Sequence, residues 1–159
     1  MCDLQCEVLI IGAGPAGLAA AHAAAESGKR IVVLDDNLRP GGQIWRDGPE
    51  VQLPAVATDY RQALNSLHNV TLLNATRVVA QYGGQQILYE SAEGHGVIAY
   101  RRLILCCGAR ELLLPFPGWT LPGVSGAGGL QAQIKNGLPI KGLRVAIAGS
   151  GPLLLAVAS

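Results

Sequence analysis

Charge is scarce in this sequence. Lysine, arginine, aspartate and glutamate make up 14% of the chain and nearly cancel, leaving a formal net charge of +1. No basic cluster extends beyond the pair Arg101-Arg102, and a surface that grips a polyanion needs clustered cations, so a nucleic-acid partner is excluded. No uninterrupted apolar run reaches the length of a bilayer span, so no transmembrane segment is expected. The opening MCDLQCE lacks the basic-then-apolar order of a signal peptide, and the expected location is the cytoplasm. The four cysteines, Cys2, Cys6, Cys106 and Cys107, form no C-x-x-C pair, and a reducing compartment would keep them as thiols. Cys106 and Cys107 read as small buried strand residues; the alternative, a redox-active vicinal pair, has no further support in the sequence. No metal cluster, catalytic triad or paired acid and base stands out, and His22, His68 and His95 are expected to be solvated rather than catalytic.

What the chain has instead is apolar residues, half of the total, and 21 glycines among 159 positions. That composition belongs to a compact α/β protein with a real core. Glu7 to Ile11 (EVLII) is a β-branched apolar run suited to a strand buried on both faces of a parallel sheet. After it comes GAGPAGLAAA, with Pro15 suited to the first helical position and Gly28 to the helix end. Ala16, Ala19, Ala20 and Ala23 are expected to keep the helix thin where it meets the sheet. Ile31 to Asp36 (IVVLDD) is the next buried strand, which completes a βαβ unit of about thirty residues.

The three glycines have separate tasks. Gly12 allows the tight turn, Gly14 lets the main chain approach a pyrophosphate, and Gly17 lets helix and strand pack closely. The helix N-terminus presents free N–H groups and a partial positive charge to the phosphates. Asp35 follows Gly12 by 23 residues, the place for a carboxylate that accepts from a ribose 2′-OH and repels a 2′-phosphate.

Beyond the acid, the loop DNLRPGGQIWRDGP carries Gly41-Gly42, followed by Gln43, Trp45 and Arg46. A second glycine pair suggests another close approach of main chain to ligand, within reach of a flavin ring. A helix is expected over 59–68, a third parallel strand at Val70 to Leu73 (VTLL), then an antiparallel meander of RVVAQY, QQILYE and GVIAYRR punctuated by GG and EGHG. LILCCGAR, Leu103 to Arg110, reads as a further buried strand.

This order resembles the two-dinucleotide-domain flavoproteins of the glutathione reductase and thioredoxin reductase type. More particularly, DDNLRPGGQIWRDGP and GARELLLPFPGWTLPGV look like the FAD-containing subunits of hydrogen cyanide synthase, opine oxidase and amino-acid dehydrogenases, and the likeness runs over essentially the whole chain. The resemblance implies a Rossmann-like FAD/NAD(P)-binding fold with a parallel sheet and a small meander. It implies FAD held at Gly12, Gly14, Pro15, Ala16 and Gly17, with its ribose at Asp35 and Asp36 and its flavin beside Gly41, Gly42 and Gln43. Val78 occupies the place where such proteins read adenine through main-chain atoms. Cys107 and Gly108 match the family's usual Thr-Gly, with Cys as the departure.

From Glu111 onward a Pro- and Gly-rich crossover leads to a short helix ending near Asn136-Gly137, then to a second strand, glycine turn and helix, GLRVAIAGSGPLLLAVAS. Gly149 and Gly151 stand at the first two turn positions, but Leu154 takes the third, so NAD(P), another nucleotide or a purely structural role all remain open there. Residues 1–110 are expected to form an FAD-binding segment and 111–159 the crossover and start of a second, incomplete nucleotide-binding domain; the chain reads as an N-terminal fragment, with an apolar face left for aggregation or a partner.

The expected function is an FAD-dependent oxidoreductase, subunit or fragment, passing a hydride from the C–H beside a substrate amine to the flavin, with electrons leaving to other subunits. An NAD(P)H-dependent disulfide reductase is the alternative on the same fold, but QIWRDGP and GVSGAGGLQAQ, where such enzymes carry their dithiols, contain no cysteine. A non-catalytic nucleotide-binding module is the third reading.

Overall fold

The computed structural model describes residues 4–49, 51–112 and 114–158; Cys2 lies outside them. The chain divides into two compact units, one of Met1–Arg46 with Gln52–Gly108 and the other of Asp47–Val51 with Ala109–Ser159.

The first unit is built on one six-stranded sheet. Strand β1 (Leu4–Ile11) leads through helix α1 (Pro15–Ala25) to β2 (Ile31–Leu34), and β2 leads through α2 (Ala55–Asn65) to β3 (Val70–Leu73). β4 (Arg77–Gln81), β5 (Gln86–Ser91) and β6 (Gly94–Leu105) follow, in the sheet order β3-β2-β1-β6-β5-β4. β3, β2, β1 and β6 are parallel neighbours, while β6, β5 and β4 are antiparallel. Parallel strands need crossovers, and the helices α1 and α2 supply them.

Apolar strand residues fill both faces. Ile10, Ile31 and Val33 pack with Leu18, Ala21 and Ala25 of α1 and Leu64 of α2. Leu9, Val32 and Leu34 pack instead with Cys6, Ile87 and Ile98, so the meander closes the second core. All four residues of β2 are buried, as its unbroken apolar run requires.

Several boundaries differ from those expected. α2 begins at Ala55, on Pro54 as N-cap, earlier than the expected 59–68; the extended backbone of Pro54 opens the helix, although in sequence a proline there reads as loop. α1 ends at Ala25 with Glu26 as its cap, and Gly28 lies beyond at φ +68°. Ala16 and Ala23 are exposed; the sheet-facing residues of α1 are Gly17, Leu18, Ala21 and Ala25. The segments GVIAYRR and LIL are one continuous strand, β6. Its first part pairs with β5 through Ala99 and its length from Ile98 pairs with β1.

In the second unit, α3 (Ala127–Lys135) ends at Asn136 with Gly137 at φ +98°. The Glu111 carboxylate accepts from the Gly128 N–H at 3.0 Å, capping the start of α3. α4 (Leu153–Ala158) follows the second glycine turn. The expected second strand joins no ladder among the described residues, and Val145 to Ala148 are exposed. An extended segment becomes a strand only when a neighbour takes up its N–H and C=O groups.

Candidate functional site

Strand register builds the site. Ile11 of β1 stands beside Leu34 of β2 and Leu105 of β6. The next residues, Gly12, Asp35 and Cys106, therefore share one row at the carboxyl edge of the sheet. Main-chain bonds extend the ladders by one step: Gly12 N–H to Leu34 C=O at 2.7 Å, Cys106 N–H to Ile11 C=O at 2.7 Å, and Asp35 N–H to Leu73 C=O at 3.0 Å. In open α/β sheets this edge is where ligands bind.

Two of the three glycines are required by contact. Gly12 has φ +100°, and a Cβ there would strike the Cys106 carbonyl; a Cβ on Gly17 would strike the Gly12 carbonyl. Gly14 is different. Its Cβ position is open apart from Gly42 Cα at 3.9 Å, so the main chain on that side is bare. Gly14 is the N-cap of α1, Pro15 opens the helix, and no side chain makes a capping hydrogen bond. Nor does the first turn carry an acid. The N–H groups at this tip are thus left for a ligand.

Ala13, which carries no sequence signal of its own, is the hub. It is fully buried. Its N–H donates to Asp35 Oδ2 at 2.5 Å, and its C=O accepts from Gly41 N–H at 2.7 Å. One peptide unit thereby ties the glycine turn to the end of β2 and to the glycine-pair loop. Asp35 Oδ1 accepts from both the backbone N–H and the side-chain amide of Asn37, each at 2.8 Å. With 5% exposure, the Asp35 carboxylate serves the protein's own amides. Asp36, its neighbour, is exposed and receives the Asn37 side-chain N–H at 3.1 Å.

The glycine-pair loop is clamped from α2. Arg61 Nη2 donates to the Pro40 and Trp45 carbonyls, both at 2.5 Å. A Cβ on Gly41 would strike that Trp45 carbonyl, and Gly42 (φ +59°) backs onto Gly14, whose Cα is 3.0 Å from where a Gly42 Cβ would lie. Trp45 stacks on Tyr60, with ring centroids 6.0 Å apart, and His22 meets Tyr60 edge-on at 5.6 Å. Arg46 Nη2 donates to Asn37 Oδ1 at 3.3 Å. Gln43 is exposed at the loop surface.

The link from β3 to β4 crosses the end of β2. Ala75 N–H donates to Asn37 C=O and Thr76 N–H to Asp35 C=O, both at 2.9 Å. Val78 follows on β4, half-buried, where the β4–β5 register shifts between Val78 and Ala80.

Cys106 and Cys107 depart from the expectation of buried strand residues. Both lie past the end of β6; Cys106 is half-buried and Cys107 exposed. Burial, and secondarily the neighbouring Cys107, push the Cys106 thiol above its usual range, which disfavours a reactive thiolate. Gly108 adopts φ +67° with open space around it. In the second unit, Leu154 fills the place of the third glycine: its Cδ2 lies 3.2 Å from where a Gly149 Cβ would be, whereas Gly151 is open. Among the described residues, no group of histidine, cysteine and acidic side chains is arranged to hold a metal.

A glycine turn that opens a helix, locked by a buried acid at the end of the second strand of a parallel 3-2-1 row, defines a Rossmann-type dinucleotide-binding protein, here with the antiparallel β6, β5 and β4 continuing the sheet beyond β1. The sequence matches the pyridine nucleotide-disulphide oxidoreductase family over residues 6–159, and the chain belongs to that family. It is 41% identical over 162 residues to the HcnB subunit of hydrogen cyanide synthase from Pseudomonas protegens, covering 94% of this chain and 34% of the relative. It is 35% identical over 158 residues to an opine oxidase subunit from Rhizobium meliloti (92% and 34%) and 34% identical over 149 residues to the alpha chain of sarcosine oxidase from the same species (83% and 15%). The chain thus spans about a third of the first two relatives. Among solved structures, the flavoprotein disulfide reductase RclA of Escherichia coli superposes with a TM-score of 0.62 at 21% identity, over 84% of this chain and 35% of that one. L-proline dehydrogenase from P. horikoshii superposes at 0.59 and 21% identity, over 72% and 25%. The expected fold and the oxidoreductase class stand, and the family agrees with FAD as the expected cofactor.

Proposed function

We propose that this chain is the FAD-binding portion of an oxidoreductase subunit that removes a hydride from the carbon beside a substrate amine. The observation that carries the reading is the locked turn: Asp35 fixes Ala13, Gly12 and Gly17 allow no side chain, and the uncapped tip of α1 faces the edge where β1 and β6 end. These residues fit a dinucleotide. The amides of Ala16 and Gly17 would take the diphosphate, as bare main chain at a positive helix end suits an anion. Gly41, Gly42 and Gln43, held by Arg61, would line the flavin side; Val78 would meet adenine through its main chain; Cys107 and Gly108 would border the crevice.

Bound FAD supplies the two-electron acceptor, and the protein contributes position and electrostatics. Opines and sarcosine, named in the relatives, are N-alkyl amino acids, which favours an amine, amino-acid or opine-type substrate here. The relatives are subunits by name, so further oxidoreductase subunits are the natural partners. A second nucleotide, NAD(P) or another, at Gly149 and Gly151 belongs to the same reading. So does a cytoplasmic location; among the described residues no helix is long and apolar enough to cross a membrane. Dithiol chemistry is disfavoured, because neither family dithiol position carries a cysteine.

An absorbance scan tests the reading. The purified chain, alone or after adding FAD, is expected to hold flavin with its visible bands, and a panel of amino acids and opines is expected to bleach them in the presence of the remaining subunits. Failure to bind added FAD would overturn it in favour of a different nucleotide or a non-catalytic module.

A further inference from the structure

The main chain that supports the glycine turn carries two adjacent thiols. The peptide joining Cys106 to Cys107 lies directly against Gly12: a Cβ there would strike the Cys106 carbonyl oxygen and stand 3.2 Å from the Cys107 nitrogen. Ile11 C=O, just before the turn, accepts from the Cys106 N–H at 2.7 Å and from the Cys107 thiol at 3.8 Å. Cys106 Cβ faces the start of α1, 3.5 Å from where a Gly17 Cβ would lie. Both side chains are thus gathered where β1 passes into α1. Access divides them, since Cys107 is exposed and Cys106 half-buried. The β1–β6 ladder ends at Leu105, so pairing does not hold the two residues straight. Gly108, which follows, adopts φ +67° with open space around its Cβ position, a joint at which the chain can turn.

We propose that Cys106 and Cys107 are a modification site, oxidised by a peroxide to a vicinal disulfide that unseats the glycine turn and so closes the dinucleotide crevice. The consequence for the cofactor rests on the FAD reading above; the chemistry does not. The exposed Cys107 thiol reacts first. Its sulfur takes one oxygen of hydrogen peroxide, the O–O bond breaks and one water leaves, giving a sulfenic acid. The Cys106 sulfur then attacks that sulfur, the S–O bond breaks, and a second water leaves with the thiol proton. Two thiols lose two electrons in all, and the peroxide is reduced to two waters. Adjacent Cα atoms stand about 3.8 Å apart across a trans peptide, closer than the roughly 4.4–6.8 Å of ordinary disulfides, so the joining peptide must rotate as the ring closes. That peptide is the wall on which Gly12 rests. Its rotation shifts Gly12, and Ala13, one residue on, loses its alignment with Asp35. The pair stands at neither family dithiol position, and its oxidation is a reversible control on cofactor binding rather than a step of turnover.

The test treats the reduced chain with hydrogen peroxide and reads three quantities. Cleavage by trypsin after Arg102 and Arg110 releases both thiols in one peptide, Leu103 to Arg110. This peptide is expected to lose two hydrogens and to resist alkylation until a dithiol reductant is added. In the ligand-free chain, exchange of the Gly12 and Ala13 amides is expected to quicken by about tenfold. FAD affinity is expected to fall by about the same factor, and reductant should restore both. Cys106→Ala keeps the Cβ beside Gly17 and is expected to retain FAD binding and amide protection in peroxide. Cys107 recovered as a sulfinic acid in place of the disulfide, a disulfide that leaves both amides protected, or an equal loss of FAD in Cys106→Ala would each overturn the proposal. Absence of FAD binding to the untreated chain would instead remove the flavin reading, while peptide mass and amide exchange would still decide whether the pair unseats the turn.

Discussion

Replacing Arg61 by alanine isolates the clamp on the glycine-pair loop. Its Nη2 atom bonds two carbonyls five residues apart, Pro40 and Trp45, at 2.5 Å each. Hydrogen bonds from a charged donor contribute about 1.5–3 kcal/mol each, and the half-buried site discounts their sum to about 2–3 kcal/mol. The loop is also held by Gly41 N–H on Ala13 C=O, Trp45 N–H on Gly41 C=O, Arg46 on Asn37 Oδ1 and the stacking of Trp45 on Tyr60. The loop should therefore open locally rather than take the sheet with it, because the core of β1, β2 and α1 does not involve Arg61. Amide hydrogen exchange reads this directly. Protection of Gly41 and Trp45 is expected to fall by about 30- to 150-fold, the factor for 2–3 kcal/mol of opening energy, while amides of β2 stay protected. If Gly41 and Trp45 keep their protection in Arg61→Ala, the clamp contributes nothing and the loop is held by other contacts.

Three further outcomes follow from the same geometry. Gly17→Ala drives a Cβ into the Gly12 carbonyl and is expected to destabilise by about 3 kcal/mol, the upper end of overpacking costs, seen as a lower denaturation midpoint. Ile10→Ala empties a site with 0% exposure between sheet and helix and should cost about 2–5 kcal/mol in urea titration. Among Cys6, Cys106 and Cys107, an alkylating reagent followed by peptide mass spectrometry should label Cys107 first and Cys6 last. Burial pushes the Cys6 thiol from an ordinary value of 9.0 up to about 11. The folded chain thus holds this proton more tightly than the unfolded one. The resulting stabilisation is complete below about pH 9 and is lost as pH rises toward 11; the stability gap between the unaltered chain and Cys6→Ala should narrow across that window.

Much of the fold is legible in the sequence because its signals are local. The glycine turn, Pro15 at the helix start and the VTLL strand are each set by neighbours a few positions away, and β3 runs over Val70–Leu73 as its apolar run indicates. The fusion of GVIAYRR with LIL is not legible, since one strand that changes partner from β5 to β1 carries no punctuation where the partner changes. The exposed end of β6 follows from register: Leu105 is the last residue opposite β1, so Cys106 and Cys107 fall beyond the ladder however apolar they look. Ala13, Asn37 and Arg61 are invisible in the sequence for a shared reason. Ala13 and Arg61 act through hydrogen bonds to groups brought near by folding, and Asn37 adds to its local bonds with Asp35 and Asp36 long-range ones from Ala75 and Arg46; neither residue type nor spacing marks such a role. An Asn directly after paired acids and an Arg on a helix facing a Gly-Gly loop are the faint signals available.

Bare main-chain amides at the tip of α1 taking the diphosphate is the central claim. A titration of the isotope-labelled chain with FAD, followed by amide nuclear magnetic resonance shifts, addresses it most directly. Saturable shifts that are largest at Gly14, Ala16 and Gly17 are the predicted result. Saturable binding that leaves those three amides unmoved, or shifts that centre on another part of the chain, would contradict it.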